Sequence, residues 1–296
     1  MKLRIHSQGF TLIEAILVIA IIGVLAAIVA VFIRAPILGY RDTVDRAEIT
    51  DQADLALRRM ARDIRLALPN SVRVNANGSA LEFLQTRTGG RYLSADEAMG
   101  AAGMNALVFD DPAQAATASV PFTVIAPPAT FRQVVAGDSV VVFNLGEGLA
   151  PADAYAGGNI ARIDRNPAFT ADGQFATVTL ARPPFGLQSP SMPSPNNSFH
   201  VVSGPVSFYC AAQPDGTLAL WRAWNYPITA TQQAVPAGAS RAVVASRLTS
   251  CNNLFSYGSA ATQRSALVLL QLELQGRYSA SAAVRLVHQV HVDNTP

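Results

Sequence analysis

Charge is scarce in this sequence. Only 14% of its 296 residues are Asp, Glu, Lys or Arg, and the formal net charge is +2. Two of the cations, Lys2 and Arg4, precede Gly9, and the rest of the chain carries 20 basic against 20 acidic side chains. So even a balance excludes the basic field that nucleic acid or an anionic surface would select, and no nucleic-acid partner is expected. Arginine supplies nearly all of the positive charge, which reads as genome composition before function. Cysteine is scarcer still, with Cys210 and Cys251 alone. Neither has a close CxxC-type neighbour, so no thiolate metal site follows. In a chain with an export-like N-terminus the two read as one disulfide in an oxidising compartment, against the alternative of two buried free thiols. Closing a 41-residue separation is worth on the order of 4 kcal/mol by loop entropy.

Catalytic patterns are missing too. The histidines are His6, His200, His288 and His291. His288 and His291 stand three apart on an expected strand, so they fall on opposite faces and share no metal. No G-x-S-x-G elbow or H-E-x-x-H helix occurs. Asp110-Asp111 lacks the alternating oxygen spacing of a calcium loop and reads as a turn pair. Phe208, Tyr209, Trp221, Trp224 and Tyr226 suit core packing and strand edges better than a glycan or partner site. The expectation is a protein with no enzymatic activity, cofactor or metal.

Apolar sequence, by contrast, is abundant: half of the residues are hydrophobic. From Phe10 to Ile33 runs a block of 24 nearly uninterrupted apolar positions, about 36 Å long as a helix, enough for a hydrocarbon core of roughly 30 Å. The cations before it hold the N-terminus in the cytoplasm and send the bulk of the chain outward. One residue does not fit. Glu14 lies inside the block, where a carboxylate near the bilayer centre costs about 2.5–3.5 kcal/mol. A secretory signal peptide, cut near Ala26, Ala27 or Ala30, needs a shorter apolar region. A plain anchor fits in length but leaves Glu14 without a reason. A cut between Gly9 and Phe10 creates a new α-amine four residues from Glu14, and that amine, on the same or a neighbouring chain, neutralises the acid.

Gly9-Phe10-Thr11-Leu12-Ile13-Glu14, after a short basic leader and before the apolar run, resembles the N-terminus of type IV pilins and type II secretion pseudopilins. The resemblance implies that a prepilin peptidase cuts after Gly9 and methylates Phe10, and that Glu14 guides assembly into a helical filament. It further implies partners among other major and minor pilins, an inner-membrane platform protein, an assembly ATPase and the lipid bilayer. Val31 stands where many pilins have a helix-kinking proline; here Pro36 and Gly39 come later. Ala56 to Arg65 and the ending Val287 to Asn294 are similar to a minor pilin of the mannose-sensitive haemagglutinin pilus, while the arginine-rich helix is also similar to the J-type minor pseudopilin of type II secretion. Such a subunit waits as a single-pass inner-membrane protein with a periplasmic domain, then moves to the pilus at the surface of a Gram-negative cell. A membrane-tethered periplasmic enzyme or binding module is the reading from a different class.

Beyond the membrane, Ile49, Ala53, Leu57, Met60, Ile64 and Leu68 recur every three or four residues, marking one buried helix face. Arg58, Arg59, Arg62, Asp63 and Arg65 fall mostly elsewhere and read as a solvated face. Pro69 ends the helix. From Val72 onward, nine β-like runs alternate with Gly, Pro, Ser and Asn clusters: 80–84, 120–125, 139–143, 175–180, 199–210, 218–224, 242–248, 266–274 and 283–292. The expected organisation is a leader over 1–9, a transmembrane helix over 10–34, a periplasmic continuation over 35–69 and a β-rich head over 70–296. A seam between sublobes is placed near 182–195, a stretch rich in proline and serine. The fold class is α+β and pilin-like, a long helix packed on an antiparallel sheet with more strands than a minimal pilin needs.

Overall fold

The structure, a computed structural model, describes residues 9–258, 265–277 and 283–296. Leader residues 1–8, including Lys2, Arg4 and His6, lie outside that set. One helix, α1 (Leu12–Ile64), runs for 53 residues and passes through Pro36 without a break. Thr11 caps it, its hydroxyl accepting from the Glu14 N–H at 3.3 Å. This satisfies one of the unpaired donors of a helix start. The helix then divides by burial. Every residue from Gly9 to Arg34 is exposed, whereas Ile49, Ala53, Leu57, Met60 and Ile64 are buried. The apolar period chose the second face; the first half has apolar side chains all round and no protein over them.

The helix ends at Ile64, capped by Arg65, five residues before the Pro69 stop expected from sequence. Backbone pairing ends it. Leu68 donates to the Leu84 carbonyl at 2.8 Å, and Thr86 to that of Leu66 at 2.7 Å. Residues 66–68 are thereby zipped onto a strand and cannot keep helical bonds.

Among the described residues the head is antiparallel, with twelve strands: β1 (Arg73–Val74), β2 (Ala80–Tyr92), β3 (Ser119–Ile125), β4 (Ser139–Val141), β5 (Ile160–Phe169) and β6 (Phe175–Ala181). There follow β7 (Ser198–Ala212), β8 (Leu218–Trp224), β9 (Ser240–Leu248), β10 (Phe255–Gly258), β11 (Ser265–Gln275) and β12 (Ala283–Asp293). The short helices α2 (Ala95–Met99) and α3 (Pro112–Ala116) lie between β2 and β3. Nine strands answer to the nine expected runs; β1, β5 and β10 were not foreseen. β1 and β10 are too short to alternate. β5 hides its period behind Arg162, Asp164, Arg165 and Pro167, and register shifts on its β6 side accommodate the irregularity.

Two large cores share this sheet, beside two smaller buried clusters around Leu84 and Tyr209. The first lies beneath α1, where Leu81, Phe83, Phe208, Leu220, Leu270, Leu272 and Val290 meet the buried helix stripe. The second fills a closed ring, because β2 pairs with both β3 and β7 while β3, β6, β5, β4 and β7 pair in succession. Phe122, Phe131 and Phe199 pack edge-to-face inside the ring, at centroid distances of 5.4 Å and 6.0 Å. The first halves of β7 and the second halves of β2 belong to the ring; their other halves belong to the sheet under α1. The two cores therefore meet along β2 and β7. Residues 182–195 do not divide them: buried Phe185 packs into the ring core, and the Gln188 amide donates to the Gly158 carbonyl at 3.0 Å.

Cys210 and Cys251 form a disulfide, with Cα atoms 5.4 Å apart. It ties β7 to the turn after β9 across 41 residues. Changing both cysteines to serine is expected to lower stability by about 4 kcal/mol, the loop-closure value for that separation. Denaturant unfolding of the detergent-solubilised chain checks this, and an unchanged midpoint would count against it.

Candidate functional site

The residues expected to be processed sit where a protease can reach them. Gly9 and Phe10 precede the helix in non-helical backbone, and Phe10 is 80% exposed. No atom comes within 4 Å of where a Gly9 side chain would stand. Glu14 lies one turn in, exposed on an apolar helix. Among the described residues no basic side chain pairs with it. An acid in the first turn does face the positive end of the helix dipole.

The helix is clamped to the head by polar contacts at three levels. Asp45, almost fully buried, accepts from the Arg277 N–H at 2.8 Å. Glu48 faces Arg247 at 3.9 Å, and Asp63 holds the Arg222 Nε at 2.7 Å. The arginine-rich helix segment is thus not wholly a solvated face: its one acid reaches β8. Arg58 stays on the surface, paired with Asp54 one turn away.

A buried charge cluster escaped the sequence reading. Arg73 is 5% exposed and Glu82 1%, and their side chains meet at 2.9 Å. Arg73 also donates to the carbonyls of Ala230 (2.7 Å) and Thr229 (2.9 Å), and its guanidinium lies 3.6 Å from the centre of the Tyr155 ring. Ser207 bridges Glu82 and Tyr226, at 3.4 Å and 2.6 Å. Burial pushes the Glu82 carboxyl above its ordinary value despite the neighbouring Arg73. Burial likewise raises Tyr155 and Tyr226, with Glu82 adding to both. In Ala80-Leu81-Glu82-Phe83-Leu84, alternation places Glu82 on the face away from α1. That face is covered as well, by residues Thr229–Ala230 and Tyr226.

Four asparagines and the C-terminal strand form a second polar junction. Asn144 donates to the Pro69 carbonyl at 2.7 Å and accepts from Ala154 at 3.0 Å. Asn70 donates to the carbonyls of Asn144 (2.9 Å) and Asn294 (3.1 Å). Asn294 in turn reaches the Tyr257 hydroxyl at 3.1 Å, and buried Asn159 donates to the Val142 carbonyl at 3.0 Å. The end of the helix, the ring and β12 are joined here.

The remaining candidates fall as the residue types suggest. His288 is half-buried and His291 exposed, on opposite faces of β12. Asp111 caps α3, accepting from Ala113 at 2.9 Å. Phe208, Tyr209 and Tyr226 are buried, while Trp221 and Trp224 are half-buried beneath arginines. Among the described residues no cluster of three or more His, Cys, Asp or Glu is placed to hold a metal ion. Burial lowers the pKa of His200, and Asp293 opposes the shift. Between that lowered value and the ordinary 6.5, the unfolded chain binds the proton more readily. Stability therefore falls as pH drops through this window. Replacing His200 with Gln is expected to flatten the fall, and melting temperatures from pH 7 to pH 5 check it.

Comparison with family models gives one match, the prokaryotic N-terminal methylation motif, over residues 4–30. Neither the curated proteins nor the solved structures contain a match. α1 is the one described helix long and apolar enough to cross a membrane. A methylation motif at the head of such a helix implies processing by a prepilin peptidase and association with other pilin-type chains. The head carries the layout to match, an antiparallel sheet clamped on the second half of the helix. Residues 4–30 are thus a type IV pilin-like prepilin signal, and they support a place for this chain among the pilins and pseudopilins.

Proposed function

We propose that the chain is a minor pilin that primes or caps a type IV pilus. The observation that carries this is the methylation motif over residues 4–30 on a helix exposed from its start to Arg34. In this account the peptidase cuts after Gly9 and methylates Phe10, and the subunit waits in the inner membrane with its head in the periplasm. A cytoplasmic ATPase acting through a platform protein then lifts it into a filament at the cell surface. Catalysis has no part in this role. The head favours a tip position on steric grounds: with twelve strands and a ring beside the sheet, it crowds a closely packed shaft but not a tip. Within the family the chain is most like MshO, the minor pilin of the mannose-sensitive haemagglutinin (MSHA) pilus, by the stretches 56–65 and 287–294. The arginine-rich end of α1 favours, as a second reading, the J-type minor pseudopilin of type II secretion. A tethered periplasmic enzyme or binding domain would instead show turnover or ligand binding without filaments.

Mass spectrometry of the native N-terminus tests the processing step. The expected result is a chain beginning at methylated Phe10; a start at Met1, or a cut near Ala30, overturns it. A bulky residue in place of Gly9 is expected to leave the leader attached, seen as a heavier band. Labelling along sheared filaments tests the position, and uniform shaft labelling would count against a tip role.

A further inference from the structure

The two cores meet at an irregularity that builds a pocket. Along β2 and β7 the register runs Gln85 opposite Gly204, then Thr86 opposite Val202, then Thr88 opposite Val201. Ser203 is therefore the extra residue on one strand and Arg87 the extra residue on the other. Gly204, beside the first bulge, has φ +133°, and Asn225, just past the end of β8, has φ +60°. Bulges bend a strand and re-aim a side chain, and strained backbone collects at binding sites. Here both bulged residues, Arg87 and Ser203, line the same concavity of about 320 Å³, together with Gln85, Arg222, Trp224 and Asn225. Pockets for small organic ligands begin at about this size.

The wall has a definite chemistry. Its charged members are two arginines, and no carboxylate lines it. Each arginine is anchored from outside the pocket. Asp138 takes Nε and Nη2 of Arg87, at 2.9 Å and 3.2 Å, and Asp63 takes Nε of Arg222 at 2.7 Å. Among the described residues, Nη1 of Arg87 and both terminal nitrogens of Arg222 have no protein acceptor, so oriented donors remain unspent. The Arg222 guanidinium lies 5.1 Å from the centre of the Trp224 ring, making one flat, amphipathic wall. The amides of Gln85 and Asn225 and the Ser203 hydroxyl add donors and acceptors around it. A planar fork suits a carboxylate, a flat wall suits a ring, and amides suit hydroxyls.

We propose that this pocket binds a carboxylate-bearing sugar, one hexuronate ring in size, as a site on the head independent of filament assembly. The carboxylate lies between Arg87 and Arg222, and the ring lies along the Arg222–Trp224 wall.

The purified full-length chain in detergent micelles is titrated with D-glucuronate and D-galacturonate, with D-glucose, D-galactose and inorganic phosphate as comparisons. Binding is read by saturation-transfer NMR and, in a Trp221→Phe background, by Trp224 fluorescence. At least one uronate is expected to bind at millimolar concentration or below, more tightly than either neutral sugar or phosphate. Arg87→Gln is expected to weaken binding about tenfold or more, as loss of a charge-assisted contact does. Ser203→Trp adds bulk at an exposed position and is expected to abolish binding without disturbing a buried contact, which circular dichroism verifies. No uronate binding by the unmodified chain overturns the proposal. So does equal binding of glucose or phosphate, or binding that survives both variants.

Discussion

Glu14→Ala is expected to leave export and cleavage intact while removing the subunit from filaments. The carboxylate lies one turn into a helix with no protein over its first half, and no described basic group pairs with it. In hydrocarbon an unpaired acid there costs about 2.5–3.5 kcal/mol. In the proposed assembly the Phe10 amine of an adjacent subunit would remove that cost only in one register, so the penalty would become a selection for correct assembly. Alanine has no charge to satisfy: membrane insertion becomes easier and the register loses its reward. If the pair contributes about 3 kcal/mol, incorporation falls by roughly a hundredfold or more. Immunoblots of sheared filaments against whole-cell fractions measure this. Normal amounts in filaments, with cleavage unchanged, would refute the pairing.

Arg73→Met is expected to destabilise the head by about 3–5 kcal/mol at neutral pH, because it strands a buried acid. Glu82 is 1% exposed, and Glu147 adds a second carboxylate within 3.4 Å of the same arginine. The loss should shrink in acid, by the following sign. Burial already raises Glu82 above its ordinary 4.5, and removing Arg73 raises it further. The folded variant therefore binds a proton that the unfolded chain gives up, and is stabilised as pH falls toward 4.5. The double variant Arg73→Met/Glu82→Leu should recover most of the stability, since an apolar pair of similar volume avoids desolvation altogether. Denaturant titrations of the unmodified chain and the two variants at pH 7 and pH 5 provide the check. Equal losses for the single and double variants would show that the arginine contributes through its backbone carbonyl contacts and Tyr155 instead.

Legibility followed the range of the interactions. The buried stripe Ile49, Ala53, Leu57, Met60 and Ile64 was readable because helical period and burial coincide over a few turns. Strands such as Val268 to Leu274 were readable because one face alone is buried. The sequence could not announce where α1 stops. Pro69 is a strong local stop, yet pairing of residues 66–68 with β2, more than fifteen positions onward, ends the helix first. The burial of Glu82 went unseen for a related reason: alternation assumes one wet face, and here a distant loop covers it. The ring was invisible because closure depends on β2 pairing with β3 and β7 at once. The bulges that allow it, at Arg87 and Ser203, leave no mark in composition.

By itself, then, the amino-acid sequence determined the prepilin-like signal and the apolar helix that follows it. The methylation motif over residues 4–30 and the long apolar helix that it opens are local and contiguous, so neither needs a distant contact to be legible. Only the tertiary structure decided what the head offers. Its buried arginine, its asparagine junction and its pocket between two cores are built from residues far apart in the chain. Their burial and pairing exist only once non-local strands have found each other.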